Sequence, residues 1–149
     1  VISLSTKDIR EVFELSYDFD MLAIKYAMAS DDKDAFITAL ADNISLCQSH
    51  LKKGEIDKWG DASDDFHLAF YTFANNTRLE SAAYRLRAQL TLIYAMCKIE
   101  IRKHEQIQRY HDDIYEYLKA GDMENARQAL HSHINEDLSL AIEYMVEEK

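Results

Sequence analysis

The stretch "HLAFYTFANNTRLE", residues His67 to Glu80, decides how the chain is read. Phe66, Phe70 and Phe73 recur at spacings of four and three, a helical stripe that stops at Asn75 and Asn76. Thr77 and Glu80 then form a T-x-x-E pattern, which predicts a capping box and the start of another helix. The local unit is helix, turn, helix. His67 sits on the border of the first helix's apolar face.

The same reading extends in both directions. A first helix is expected over about Thr6–Ala29, with Ile9, Val12, Phe13, Phe19, Leu22, Ala23 and Tyr26 on one stripe. Asp31 or Asp32 would cap a second, carrying Phe36, Leu40, Ile44, Cys47 and Leu51. The third covers about Ile56–Ala74, with Gly60 interrupting its pattern so that the helix proper starts after it. The fourth, from Thr77, carries Leu79, Ala83, Leu86, Leu90, Ile93 and Cys97 and ends near the polar "RKHEQ" of residues 102–106. A fifth spans about Gln106–Lys119, Gly121 and Asp122 supply a stop and a cap, and the last spans about Met123–Val146. With no proline and three glycines, the chain lacks the turn residues of an all-β domain. The expectation is one all-α domain over residues 1–149, an antiparallel bundle of six to seven helices.

Composition narrows the function classes. A formal charge of −10 repels phosphate, so this segment does not grip nucleic acid or an anionic membrane by itself. No apolar run reaches the length of a membrane span and the first residues do not read as a signal peptide, so a cytoplasmic location is expected. Cys47 and Cys97 are far apart and lie on apolar helical faces, which predicts buried free thiols. No glycine-flanked serine, Gly-rich phosphate loop or pair of Glu-x-x-His motifs is present, which argues against nucleophilic, nucleotide and di-iron chemistry.

The histidines carry the remaining signal. Ile107, His111, Ile114 and Leu118 share one face of the fifth helix; Ala126, Leu130, His133, Glu136 or Asp137, and Ala141 share one face of the last. With His67, three imidazoles point inward from three helices, while His50, His104 and His131 read as exposed. Each alone is an ordinary core-edge histidine held by a hydrogen bond. Together they suit a divalent cation, zinc first, with nickel, copper or iron also compatible. Asp64, three residues before His67, is the preferred fourth ligand, and Ser63, one turn back, the weaker one.

"DDFHLAFYTFANNTRL" resembles the "FHxxL…xxGNxxL" stretch of the C-terminal effector-binding (FCD) domain of FadR-type GntR transcription regulators. "YHDDIYEYLKAGDMENARQALHSHI" resembles that family's second motif, with His111, Asp122 and His133 each eleven residues apart. The resemblance covers essentially the whole chain, with a looser match at "SYDFDMLAIKYA".

It implies a helical bundle around a central metal and effector cavity, with His67, His111 and His133 as metal ligands. Two departures stand out: Ser63 replaces the family's usual aspartate ligand, and Ser16 its usual first-helix arginine. The implied effector is a small carboxylate-bearing metabolite, with Arg78, Arg85 and Arg87 as candidate anchors, Arg85 foremost, and Asn76 beside them. The implied assembly is a homodimer that meets DNA only through a separate N-terminal winged helix-turn-helix domain, which this chain does not include. The implied role is effector sensing rather than catalysis. A small helical metalloenzyme and a metal-free helical interaction module are the alternatives.

Overall fold

The computed structural model describes residues 4–148 and contains six helices: α1 (Thr6–Ala29), α2 (Lys33–Lys52), α3 (Ile56–Ala74), α4 (Thr77–Cys97), α5 (Ile99–Lys119) and α6 (Met123–Glu147). There is no strand among the described residues, and the expected all-α antiparallel bundle is the fold observed. Among the described residues no helix is long and apolar enough to cross a membrane.

The helices form where periodicity placed them, and the turns show why they stop. Ser5 caps α1 in a reciprocal capping box with Asp8. Asp32 stands at the start of α2, but its side chain makes no capping bond. Gly60 does not delay α3, which runs through it from Ile56. The capping box expected at Thr77 and Glu80 is not the one used. Asn76 caps α4 instead, its Oδ1 accepting from Leu79 N–H at 3.0 Å, because Asn75 in the left-handed region turns the chain one residue earlier. Gly121, at φ 74°, ends α5, and Asp122 accepts from Asn125 N–H at the start of α6.

The break near residues 102–106 falls earlier than expected. Lys98 adopts the left-handed region at φ 55° and separates α4 from α5, and α5 is then kinked at Lys103. What the sequence suggested as one long helix and a polar gap is two helices and a kink.

The core is aromatic. Phe13, Phe36, Trp59, Phe66, Phe70 and Tyr71 are fully or almost fully buried, each contributing roughly 1.5–3 kcal/mol relative to exposure. Phe36 of α2 meets Phe70 of α3 edge to face, and Trp59 Nε1 donates to Gln108 Oε1 of α5 at 2.8 Å. α3 packs against α1, α2 and α5, and α5 packs along α6. That arrangement sets the inner faces of α3, α5 and α6 toward one another. Cys47 and Cys97 are buried free thiols, and burial pushes Cys47 up to about 12.

The buried face of α1 differs from the expected stripe. It runs through Ile9, Phe13, Ser16, Asp20, Ala23 and Ala27, leaving Leu22 and Tyr26 largely exposed. Two polar residues thus face the interior from α1.

Candidate metal centre

His67 of α3, His111 of α5 and His133 of α6 are all buried, and their rings converge. His67 Nε2 lies 3.1 Å from His111 Nε2, which lies 3.2 Å from His133 Nε2. His111 is clamped by Phe66, whose ring stacks on it at a centroid distance of 4.3 Å. Tyr110 stacks on His133. The rings are therefore fixed by packing before any ligand arrives.

Electrostatics keeps two of them neutral. His111 and His133 are held well below the ordinary imidazole range, chiefly by burial and then by the neighbouring His67. Neutral imidazoles present lone pairs. Hydrogen bonding alone does not satisfy the cluster: three Nε2 atoms face one another, and a single N–H on His111 Nε2 can donate to only one of its two neighbours. A cation fits the donor set. Nitrogen ligands about 2.0–2.1 Å from a tetrahedral zinc ion stand about 3.4 Å apart, close to the spacings observed.

The carboxylate expected among the ligands is placed elsewhere. Asp64 is not with the three histidines; its half-exposed side chain turns to α4, where Oδ1 accepts from Arg87 Nε at 3.0 Å and also from the second guanidinium nitrogen. Ser63 is buried one turn before His67 and lines the same cavity. The acid that touches a histidine is Asp20 of α1: its Oδ2 lies 2.8 Å from His67 Nδ1, and its Oδ1 accepts from the Tyr71 hydroxyl. Asp137 of α6 accepts from the Tyr94 hydroxyl and has an oxygen 3.4 Å from His133 Nδ1. Burial pushes Asp137 up to about 7.

A cavity of about 630 Å³ reaches all three histidines, lined also by Ser63, Asp64, Arg87 and Tyr94. Among the arginines considered, Arg87 faces it with a side chain 11% exposed. Arg85, favoured from its neighbour Leu86, is exposed, as is Arg78. The phase of Ala83, Leu90 and Ile93 explains the difference, because Arg87 lies four residues after Ala83 and three before Leu90. Asn76 is spent on the α4 cap. Asp20 was missed because acids are read as surface residues, although the spacing from Phe13 through Ser16 to Ala23 places it inside.

Comparison with solved structures gives the fold independent support. The chain superimposes on the metal-free FCD domain of TM0439 with a TM-score of 0.78 at 16% identity, covering 98% of this chain and 99% of that one. It matches E. coli McbR/YncC with a TM-score of 0.78 at 18% identity, over 96% of this chain and 72% of that one. Lar, which controls expression of the Listeria monocytogenes agr system, matches with a TM-score of 0.73 at 18% identity, over 94% of this chain and 66% of that one. Comparison with curated proteins returns no match. Residues 11–136 match the FCD domain family. The chain belongs to the FCD domain family.

Proposed function

We propose that this domain senses a small carboxylate-bearing metabolite through a divalent cation held by His67, His111 and His133, and passes the signal to a DNA-reading winged helix-turn-helix domain outside this chain. The observation that carries the reading is the meeting of three Nε2 atoms, from three helices, within 4.8 Å of one another. The cation would give the cavity a Lewis-acidic floor that attracts a carboxylate oxygen. Of the three candidate arginines, Arg87 rather than Arg85 or Arg78 takes the anchoring role. Its guanidinium offers a carboxylate a charge-assisted, two-pronged bond, in competition with Asp64.

Because the histidines belong to α3, α5 and α6, binding ties three helices together. A ligand that prefers one packing of those helices shifts the population toward it. In a dimer, such a shift changes the spacing of paired reading heads, on which operator affinity depends. Zinc is the cation proposed, with nickel as the runner-up, since neutral imidazoles suit both. The role we propose is regulatory, as the match to the FCD domain family supports.

A thermal-shift screen of small carboxylates, with and without zinc, tests this. Zinc should raise the melting temperature, and at least one acid should raise it further only when zinc is present. A chain indifferent to zinc, or to every acid in its presence, contradicts the proposal.

A further inference from the structure

Two carboxylates lie deep in the protein without a basic partner. Asp20 is 0% exposed and Asp137 2% exposed, and neither forms an ion pair with lysine or arginine among the described residues. Arg87, the guanidinium of this cavity, is engaged by Asp64. Their polar neighbours are instead a tyrosine and a histidine each: Tyr71 and His67 for Asp20, Tyr94 and His133 for Asp137. Buried carboxylates are costly unless charge or hydrogen bonds compensate them.

Their positions exclude a ligand role. Each approaches the Nδ1 side of its imidazole, while the three Nε2 atoms meet on the other side. Only Asp20 is within hydrogen-bond distance, and a carboxylate so placed fixes the hydrogen on His67 Nδ1 and leaves its Nε2 lone pair facing inward. It also raises the electron-donating power of the ring.

We infer that Asp20, held from behind by Tyr71, is the positioning residue that sets His67 for metal binding, and that it brings to the site the carboxylate that Ser63 does not. Ser63, one turn before His67, is a neutral group, so the carboxylate beside the ligand set enters from α1 rather than from α3. Asp20 acts across 47 residues of sequence, and α1 is thereby coupled to the metal without touching it. The inference rests on the metal reading above.

The test compares Co²⁺ titrations, followed by visible absorbance, of the wild type, Asp20→Asn, Asp20→Ala and Tyr71→Phe. Exposed Glu143→Gln serves as the charge control. Long-range ¹H–¹⁵N spectra of the imidazoles, recorded without metal, report the tautomer of His67 directly. Asp20→Ala should weaken Co²⁺ binding about 10- to 100-fold. Asp20→Asn, which keeps an acceptor but no charge, should fall between, and Glu143→Gln should bind as the wild type does. The wild-type spectrum should show His67 protonated at Nδ1, and Asp20→Ala should lose that preference. If Asp20→Ala is poorly folded, Asp20→Asn and the wild-type tautomer decide alone. Unchanged affinity and tautomer in the Asp20 variants overturn the inference. A wild type that binds no Co²⁺ overturns the metal reading first, before any variant is compared.

Discussion

Arg87 of α4 is held through one oxygen of Asp64 of α3, with both Nε and a terminal nitrogen donating to Oδ1. The pair is asymmetric: the arginine side chain is 11% exposed and the aspartate 37%. Removing Asp64 strands a mostly buried cation, whereas removing Arg87 leaves an acid that water can solvate. Asp64→Ala should therefore cost about 1–3 kcal/mol, and Arg87→Met well under that. Urea denaturation of both variants measures the difference. Equal costs would show that burial does not govern this pair.

The same arginine separates metal from effector binding. Arg87→Met should keep the zinc-induced rise in melting temperature and lose most of the additional rise produced by a responding carboxylate. A variant that keeps both would place the anchor elsewhere in the cavity.

Gly60 lies under the Glu100 side chain, which occupies the space a Cβ would need. Glu100 is also raised in pKa, by burial first and by Asp64 and Asp61 next. Gly60→Ala in the middle of α3 should gain about 0.5–1 kcal/mol from backbone entropy, but only once Glu100 has moved aside. In an Glu100→Ala background the gain should be full; in the wild type it should be smaller. A double-mutant cycle reads the coupling, and strict additivity would mean that the two residues do not contend.

Asn76, which the family resemblance suggests as an effector contact, serves as the α4 cap. Asn76→Ala should cost about 1 kcal/mol of stability, and Thr77→Ala much less. Chemical denaturation distinguishes them.

The metal-free protein should lose stability as pH falls below about 6.5, the ordinary imidazole value. His111 and His133 are depressed in the folded state, so below that value the unfolded chain takes up protons that the folded chain refuses. Asp137, raised to about 7, acts with the opposite sign: the folded chain gains its proton as pH falls from about 7 toward the ordinary carboxylate range. Two histidines against one acid leave a net loss of stability on acidification from this site. Denaturant midpoints in chelator at several pH values check the slope, and stability rising on acidification would reverse the assignment.

The sequence made the helices and the three histidines legible because both follow from apolar periodicity. Ile107, His111, Ile114 and Leu118 repeat on one face, and a histidine in that series has to point inward. It concealed what lies behind the rings. Asp20 looks like a solvated acid in a chain of net charge −10, and only the tyrosine and histidine packed around it account for its burial, whereas Asp137 falls on the apolar stripe of the last helix. Arg85 was preferred over Arg87 by adjacency to Leu86, where phase relative to Ala83 and Leu90 was the better guide. Asn75, a residue type that tolerates the left-handed region, stands at the turn the sequence marked, whereas Lys98 in that region has no local signature.

Isothermal titration of zinc into the chelator-stripped wild type, beside His67→Ala, His111→Ala and His133→Ala, bears most directly on the central claim. One zinc per chain should bind the wild type, and each alanine variant should bind at least tenfold more weakly while keeping its helical content. Absence of zinc binding by a folded wild-type chain, or binding that survives loss of any of the three imidazoles undiminished, would contradict it.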